Sequence, residues 1–257
     1  MFSVTTFNIR FDDTSERKKS WELRKTLTKS LLDKYQWDFM GVEEPLLPQM
    51  RDMKEMQDWD YFGVGRDDGF EKGEFTAVFY NSTRFTLLQE GHFWLSETPE
   101  VPSIHSTAMF PRICVWGKLE DSTDGKQFYI FNTHLDYISE EARLFASQLL
   151  LHKASLIQED LPVILLGDFN TEPSTPTYNL ITQRYQDAQL LSKTPVKGPL
   201  GSFHDFQPLR PESELEKIDY IFVSNEFHIC SYETSTDEID GCSASDHFPV
   251  MAVVGWT

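Results

Sequence analysis

Residues 163–170 read VILLGDFN, an apolar run that stops abruptly at a glycine and continues with alternating polar residues. The run Val163–Leu166 predicts a buried strand, because a short apolar segment bounded by a turn signal is typical of one. Alternation along an extended chain then places Asp168 and Asn170 on the same side. A carboxylate and an amide so aligned could hold a water molecule and a phosphoryl oxygen together. The alternative is an Asp/Asn turn that merely ends the strand.

Short segments rich in β-branched and aromatic residues occur on both sides of this strand and predict a β-rich core. The other predicted strands are Phe2–Asn8, Phe39–Val42, Phe75–Tyr80, His92–Leu95, Ile113–Leu119, Phe128–Thr133, Ile218–Val223, Ile229–Thr234 and Val250–Val254. Strands precede and follow two predicted helices, while several strands are separated only by turns. This order predicts one α/β domain over residues 1–257, with helices outside two packed mixed sheets.

The two helices are predicted from their caps and their apolar spacing. Ser20 is expected to cap a helix that runs to about Tyr35. One face of this helix carries leucines four residues apart, at Leu23, Leu27 and Leu31. Ser139 is expected to cap the second helix. Its predicted stripe consists of Phe145, Leu149, His152 and Leu156. We interpret His152 as a packed or boundary residue rather than a ligand.

The net charge of the chain is −18, from 41 Asp and Glu residues against 23 Lys and Arg residues. Non-specific binding to nucleic acid depends on Lys and Arg side chains that neutralise phosphates, and no basic run in the chain exceeds three residues. The composition therefore disfavours long duplex DNA or RNA as a substrate. A small anionic substrate is compatible with it, because a metal ion can supply local positive charge.

Two sequence features bear on the cellular compartment in which the protein is expected. The amino-terminal segment lacks the basic-then-apolar pattern of a signal peptide, and no apolar stretch approaches the roughly 20 residues that span a bilayer. The three cysteines, Cys114, Cys230 and Cys242, are odd in number and scattered, so they are interpreted as reduced thiols. Together these features predict a cytoplasmic protein and leave its oligomeric state open.

Polar clusters lie at the ends of the predicted strands, where loops converge to form sites in layered α/β folds. They are Thr6-Phe7-Asn8-Ile9-Arg10, Gly41-Val42-Glu43-Glu44, Asn132-Thr133-His134-Leu135-Asp136, Gly167-Asp168-Phe169-Asn170, Lys217-Ile218-Asp219-Tyr220 and Ser245-Asp246-His247-Phe248-Pro249. Each cluster alone is compatible with a structural turn or cap. Their combination is far more specific than any one of them.

The residue types in these clusters favour one kind of chemistry. Asp, Glu and Asn supply hard oxygen ligands, which favour Mg²⁺ or Mn²⁺ over zinc. Histidines beside carboxylates can transfer protons near neutral pH. The sequence contains no Gly-x-Ser-x-Gly elbow, no phosphate-binding loop and no His-Glu-x-x-His zinc motif. These observations predict metal-assisted attack of water, with phosphorus as the natural electrophile.

All six clusters occur in the order found in the endonuclease/exonuclease/phosphatase superfamily, which the chain resembles from residue 6 to residue 249. Three further stretches resemble a bacterial and fungal subgroup of unassigned substrate, nearest the deadenylase-like branch. They are residues 63–69 (GVGRDDG), 93–99 (FWLSETP) and 111–114 (PRIC). The resemblance implies a four-layer α/β sandwich, in which two mixed β-sheets pack face to face with helices on both outer sides.

The resemblance also implies a metal site and a water-activating group. Glu44 would be the principal metal ligand, supported by Asn8 and Asp246. Asp168 would orient or deprotonate the attacking water, and Asn170 would hold that water or the phosphate.

For the phosphate, the resemblance implies three further residues. His247 would contact the phosphoryl oxygens or act as the acid/base group, with Asp219 hydrogen-bonded behind it. His134 would bind the phosphate or help the leaving group. Position 43 carries Glu where the family more often has Gln, and strand alternation predicts that Glu43 faces away from Glu44.

Three additional residues are candidates for binding the substrate. Arg66 and Arg112 could clamp a second anionic group, although surface ion pairs are the alternative for both. His204, within Ser202-Phe203-His204-Asp205, matches a subgroup motif and is a candidate to line the substrate pocket.

Three functions are compatible with these observations. The first is Mg²⁺-dependent hydrolysis of a small phosphomonoester or phosphodiester. The second is a single-strand-specific, deadenylase-like exonuclease, which would need a basic or aromatic track. Trp94, Phe110 and Trp116 are candidates for that track, but a core role is predicted for each. The third is a non-catalytic metal-dependent binding protein, which is disfavoured because every candidate catalytic position carries a competent residue.

Overall fold

The computed structural model of the chain describes residues 1–13, 15, 19–56, 59–238 and 242–257. The strands in these ranges are β1 (Phe2–Asn8), β2 (Phe39–Glu43), β3 (Asp60–Gly65), β4 (Phe75–Tyr80), β5 (Phe85–Trp94), β6 (Ile113–Asp121), β7 (Gln127–His134), β8 (Val163–Asp168), β9 (Gln186–Asp187), β10 (Asp219–Val223), β11 (Phe227–Thr234) and β12 (Val250–Trp256). The α-helices are α1 (Trp21–Tyr35), α2 (Leu47–Met56), α3 (Glu140–Ile157), α4 (Pro176–Thr182) and α5 (Ala188–Leu191).

The strands form two six-stranded sheets. The first sheet has the order β11-β12-β1-β2-β4-β3, and the second has the order β5-β6-β7-β8-β10-β9. One pair in each sheet is parallel, β1 with β2 and β7 with β8, and the remaining neighbours are antiparallel. Both sheets are therefore mixed, as the order of the predicted elements indicates.

Three apolar clusters show how the layers pack. The central cluster joins the inner faces of the two sheets, where Phe2 of β1 stacks on Phe128 of β7 with ring centroids 5.2 Å apart. A second cluster packs α1 and α2 against the outer face of the first sheet. A third packs α3 and α4 against the outer face of the second sheet. Burial of these apolar faces against one another stabilises the four layers. The predicted four-layer α/β sandwich is confirmed.

All ten predicted strands are present, most of them extended by one or more residues. The sequence patterns miss β3 and the two-residue β9, as well as α2, α4 and α5. β3 carries two glycines among its six residues, Gly63 and Gly65, and glycine is depleted in strands. None of the helices in the described ranges is long and apolar enough to cross a bilayer.

The predicted stripe of α1 is only partly correct. Leu31 is buried, but Leu23 is 58% exposed. Arg24 lies on the buried side instead, because its guanidinium donates to the main-chain oxygens of Ile9 and Ala244. The Ser20 side chain makes no cap hydrogen bond. The carboxylate of Asp12 accepts from the Trp21 N–H at 2.8 Å in its place.

The cap of α3 is as predicted, but its buried stripe is not. The Ser139 hydroxyl accepts from the Ala142 N–H at 3.1 Å. The buried positions are Ala142, Ala146, Ser147, Leu150 and Ala154, whereas Leu156 is exposed. Small side chains let a helix approach a sheet closely, and the buried stripe accordingly consists of three alanines and Ser147 together with Leu150. His152 is exposed, so it is not packed into the core as one of its two sequence-based interpretations expected.

Gly167 allows β7 and β8 to approach each other beside the polar edge. Its φ is +142°, and a Cβ at this position would meet the main-chain oxygen of Thr133 at 1.9 Å. We expect Gly167→Ala to lower the free energy of unfolding by about 3 kcal/mol or more, from backbone strain and overpacking combined. Urea unfolding followed by circular dichroism measures this loss.

Gly125→Ala is the matched control for that substitution. Gly125 also has a positive φ, +73°, but nothing lies within 4 Å of an added Cβ. Gly125→Ala should therefore lower the free energy of unfolding only by the penalty for a left-handed backbone, about 1–2 kcal/mol. Equal losses for the two variants would contradict the steric explanation.

Candidate active site

The polar clusters meet at one edge that the two sheets share. β1, β2, β7 and β8 all end at this edge, whereas β10 and β12 begin there because they run antiparallel to β8 and β1. The Asn8 side chain from the first sheet donates to the Asp168 carboxylate of the second sheet at 3.0 Å, across 160 residues of chain. Topology therefore assembles side chains from distant segments.

A cavity of about 630 Å³ opens at this edge. Eight of the predicted site residues line it, namely Glu44, Arg66, Arg112, His134, Asp168, Asn170, Asp246 and His247. Asn8 and Asp219 are buried and each hydrogen-bonds to a lining residue, Asn8 to Asp168 and Asp219 to His247. Cavities of this size hold small ligands.

Asp168 is the centre of the cluster. One of its oxygens, Oδ2, accepts from Asn8 and lies 3.5 Å from His134 Nε2 and 3.8 Å from His247 Nε2. The other, Oδ1, accepts from the Asn170 main-chain N–H at 2.9 Å. Burial raises the pKa of Asp168, and the neighbouring Asp219 carboxylate raises it further. The arrangement makes Asp168 a more basic carboxylate than an exposed one.

His247 is held by a carboxylate behind it. Its Nδ1 lies 2.8 Å from Asp219 Oδ2, and the Ser202 hydroxyl donates to the same oxygen at 2.5 Å. Burial lowers the pKa of His247, but the charge and hydrogen bond of Asp219 outweigh burial and raise the pKa well above its ordinary value. Asp219 thus favours an imidazolium whose Nε2–H is directed to the side of Asp168.

His134 has the opposite electrostatic environment. Burial lowers its pKa well below the ordinary value, and the guanidinium of Arg112 lowers it further. Two buried histidines in one cavity are therefore driven to different charge states, His247 cationic and His134 neutral. Opposed environments of this kind are how acid and base roles are separated in enzyme sites.

Glu44 and Asp246 face each other across a single guanidinium. Arg10 Nη1 lies 3.6 Å from Glu44 Oε2, and Arg10 Nε lies 3.7 Å from Asp246 Oδ2. Burial raises the pKa of Asp246, and Glu44 contributes to the increase. Glu44 itself has a left-handed φ of +72°, a strained conformation that is typical of functional sites.

These carboxylates fit a hard divalent cation. Glu44 and Asp246 already share one positive group, and their mutual repulsion would be relieved by a cation of higher charge. Asp168, Asp219 and His247 also present ligating atoms within 4.8 Å of one another. We consider this second trio a poorer cation site, because its imidazole is bonded to Asp219 and driven towards the protonated form.

Asn8 contributes differently from the expectation for a ligand. Its Nδ2 donates to both Glu44 and Asp168 at 3.0 Å, while its Oδ1 accepts from the Arg10 main-chain N–H. In this orientation the amide holds the two carboxylates together. The Oδ1 atom retains a second lone pair beside the bond from Arg10, so the amide oxygen keeps the capacity to coordinate a cation.

Glu43 faces away from the cavity, as strand alternation predicts, but its environment strongly affects the charge of its carboxyl group. It is fully buried beneath the site, and one carboxylate oxygen, Oε2, has no hydrogen-bond partner. Burial raises its pKa well above the ordinary value, and Asp219 and Asp168 raise it further. Glu43 is therefore driven towards the neutral acid.

His204 does not line the cavity, which differs from the sequence-based expectation. It is fully buried, and its ring stacks on Phe248 with centroids 4.1 Å apart. Its neighbours Phe203 and Asp205 line the cavity instead. Residues adjacent in an irregular loop point in different directions, and a motif alone does not specify which of them faces the ligand.

Arg66 and Arg112 both line the cavity but differ in their partners. Arg66 makes a two-pronged ion pair with Glu74, with N–O distances of 2.5 and 2.9 Å. Arg112 is buried, and its Nε and Nη1 atoms have no hydrogen-bond partner among the residues that the structure describes. The ion-pair interpretation therefore describes Arg66 but not Arg112 among the described residues.

The structure adds residues that the sequence patterns did not single out. Arg10 and Ser202 lie within quoted motifs, so their position could have suggested a role. Glu74 and Tyr137 had no such signal. Phe110 and Tyr137 are 41% and 52% exposed on the cavity wall, with nearly parallel rings 6.5 Å apart. The predicted core role of Phe110 is therefore wrong, whereas Trp94 is buried as predicted.

Comparison with known proteins bears out the resemblance. A model of the Endonuclease/Exonuclease/phosphatase family matches residues 5–247. Among solved structures, the chain is 35% identical to the mannosyl-6-phosphatase Bt3783 of Bacteroides thetaiotaomicron VPI-5482, with a TM-score of 0.93 over 100% of both chains. The human Nocturnin catalytic domain shares the fold, with 20% identity and a TM-score of 0.77 over 100% of this chain and 93% of that one.

Among curated proteins, the chain is similar to carbon catabolite repressor protein 4 homolog 6 of Arabidopsis thaliana. The two are 27% identical over 213 residues, which is 76% of this chain and 27% of the Arabidopsis protein. The chain therefore corresponds to about a quarter of the length of that relative.

Proposed function

The chain belongs to the endonuclease/exonuclease/phosphatase family, and from this premise we propose a Mg²⁺-dependent phosphoesterase that hydrolyses a small phosphomonoester or phosphodiester. Family membership makes the chain a phosphoric ester hydrolase, since the members are phosphoesterases and nucleases. The observation that carries the finer proposal is the meeting of Asp168, Asp219 and His247 beside Glu44 and Asp246 in one cavity. We also propose that residues 1–257 form one domain.

The proposed cation site consists of Glu44 and Asp246, with Asn8 holding Glu44 in place. A bound Mg²⁺ would polarise a phosphoryl oxygen and offset the charge that develops on it. Arg10 lies beside both carboxylates, so it would balance their charge and orient them.

The proposed catalytic roles of the other residues follow from their protonation states and their contacts. Asp168, made more basic by burial, orients the attacking water and accepts its proton. His247, cationic against Asp219, donates from Nε2 to a phosphoryl oxygen. Asn170 holds the water or the phosphate on the cavity wall, and neutral His134 contacts the phosphate or the leaving group.

Two observations support a small substrate. The net charge of −18 disfavours long nucleic acids, whose binding needs many phosphate contacts from Lys and Arg. A protein 35% identical over the whole chain is named a mannosyl-6-phosphatase, which favours a sugar phosphate among small esters. We further propose a reducing compartment such as the cytoplasm, in line with the three free cysteines.

A single-strand exonuclease is the second candidate, favoured by one observation. The exposed pair Phe110 and Tyr137 offers a surface on which a base could stack at the mouth of the cavity. A screen of sugar phosphates, nucleotides, inositol phosphates and oligo(A), with Mg²⁺ and Mn²⁺ added separately, distinguishes the candidates. Faster cleavage of oligo(A) than of every small ester would reverse our ranking.

Metal removal should abolish hydrolysis and leave the protein folded. We expect activity to disappear after dialysis against a chelator and to return with Mg²⁺. Mg²⁺ at one hundred times its Kd should also add about 2.7 kcal/mol to the free energy of unfolding. Thermal unfolding with and without Mg²⁺ measures this stabilisation without any substrate.

Glu44→Gln tests whether the cation binds at the proposed carboxylates. This variant should lose the Mg²⁺-dependent increase in Tm, because one ligand charge is removed. Asp38→Asn, a carboxylate bonded to Ser3 far from the cavity, should keep that increase. Stabilisation of Glu44→Gln equal to that of the unmodified chain would place the cation elsewhere.

A further inference from the structure

Arg112 is a buried guanidinium for which the described residues provide no ion-pair partner. It immediately precedes β6, is 6% exposed, and has no hydrogen bond from Nε or Nη1 to any described residue. Within the described part of the chain it forms no ion pair at 4.0 Å or less. Arg24, by contrast, is a buried arginine whose hydrogen bonds are satisfied. It donates to five main-chain oxygens, those of Ile9, Arg10, Phe11, Lys19 and Ala244.

An unpartnered buried charge is costly, because the group loses its water without gaining another partner. Such a group in a protein calls for an explanation, and a ligand, an ion or ordered water can complete its hydrogen bonds. Arg112 lines the same cavity as His134, Asp168 and Asn170, so an anion placed beside those residues would be within the cavity that Arg112 faces. The free donors of Arg112 therefore indicate a site for an anionic ligand.

The other cations of the cavity are already engaged. Arg66 is neutralised by Glu74, and Arg10 lies between Glu44 and Asp246. His247 is paired with Asp219, and the environment of His134 favours its neutral form. Among the described lining residues, Arg112 therefore carries a positive charge that forms no ion pair at 4.0 Å or less, although Glu74, Glu44 and Asp168 attract it from further away.

We propose that Arg112 binds the non-bridging oxygens of the substrate phosphoryl group and thereby selects phosphomonoesters over phosphodiesters. A monoester phosphate carries about −1.5 to −2 charges near pH 7, whereas a diester carries one. A planar guanidinium also binds two phosphate oxygens at once, and a monoester offers one more unesterified oxygen than a diester. The inference rests on the proposed phosphoesterase function and specifies its substrate class.

The experiment compares two esters with the same leaving group, p-nitrophenyl phosphate and bis(p-nitrophenyl) phosphate, in the presence of Mg²⁺. We expect the unmodified chain to prefer the monoester in kcat/KM. Arg112→Met should lower kcat/KM for the monoester by about 10²–10³-fold, the usual effect of removing a donor to a developing oxyanion. For the diester, kcat/KM should fall by about tenfold or less, because a diester carries less negative charge for the guanidinium to bind. Arg112→Lys should recover part of the monoester activity.

Thermal unfolding separates a ligand-binding role from a structural one. Arg112→Met should leave Tm unchanged or higher, because it removes a buried uncompensated charge. Arg84→Met is the matched control. The Arg84 guanidinium is satisfied by Asp121, with N–O distances of 3.2 and 2.7 Å, away from the cavity. Arg84→Met should lower Tm and leave the ratio of monoester to diester activity unchanged.

Three results would overturn the proposal. They are a preference of the unmodified chain for the diester, equal fractional losses on both esters in Arg112→Met, or a Tm of Arg112→Met that falls as far as that of Arg84→Met. If the unmodified chain cleaves neither ester, the proposed function fails separately. Calorimetric binding of inorganic phosphate then decides the role of Arg112, since equal affinity in the unmodified chain and in Arg112→Met would refute it.

Discussion

Asp168→Asn is expected to lower kcat by about 10³-fold while the protein stays folded, because a positioned general base contributes roughly 10²–10⁴-fold. Asparagine keeps the size of the side chain but cannot accept the proton of the attacking water. The substitution also removes the negative charge to which Asn8 donates and which lies beside both cavity histidines. Steady-state hydrolysis of the best ester from the screen, with Mg²⁺ in excess, measures the effect.

Asp121→Asn is the control for a buried carboxylate. Asp121 accepts from Arg84 at the end of β6 and takes no part in the cavity. This variant should lower Tm and keep kcat, whereas Asp168→Asn should keep Tm and lower kcat. A residual kcat for Asp168→Asn within about tenfold of the unmodified chain would contradict the assignment, because general-base losses begin near 10².

The second large effect concerns the Asp219–His247 pair. His247→Gln should lower kcat by about 10³-fold through loss of a cationic donor. Asp219→Asn should lower it by a similar factor, up to about 10⁴, because the carboxylate fixes the tautomer and stabilises the imidazolium. Ser202 would remain to bond the amide that replaces the carboxylate. Both single variants are measured against the same ester and the same Mg²⁺ concentration.

The double variant shows whether Asp219 acts through His247. Residues that work as a unit are not additive, so the double variant should be about as slow as the slower single variant. Multiplicative losses would mean that Asp219 is not a positioning residue for His247. The pH profile gives an independent readout. Asp219→Asn should move the histidine-dependent limb of kcat to lower pH, because Asp219 is what raises the pKa of His247.

The opposed pKa shifts of the two histidines are compatible with two different roles. Asp219 favours a charged imidazole on one side of Asp168, while burial and Arg112 favour a neutral imidazole on the other side. In the proposed mechanism, one side would stabilise negative charge while the other would exchange a proton or a hydrogen bond with the leaving group. This separation depends on a lysine-poor cavity whose positive charge comes from arginines and one histidine.

The limits of prediction from sequence are visible in particular residues. The strand that ends at Asp168 was recognised because its apolar run is local, and α3 was recognised because Ser139 caps it. The buried stripe of α3 was assigned to the wrong side, because size and hydrophobicity favour Phe145 and Leu149 over the alanines that the sheet requires. His204 was expected on the cavity wall and lies behind it.

The sequence by itself determined the family and the four-layer fold, and it indicated the residues that meet at the edge. The strand patterns indicated two packed mixed sheets with helices outside them, and the order of the short motifs carried the family resemblance, which implied the four layers. Neither of these needs knowledge of distant partners. Only the tertiary structure decided which charged side chains are paired with a side chain of opposite charge. Arg66 and Arg112 looked alike in sequence, but only folding brings Glu74 to Arg66 and leaves Arg112 facing the cavity without a carboxylate among the described residues. The net charge of a site depends on pairing in space, so a linear pattern does not specify it.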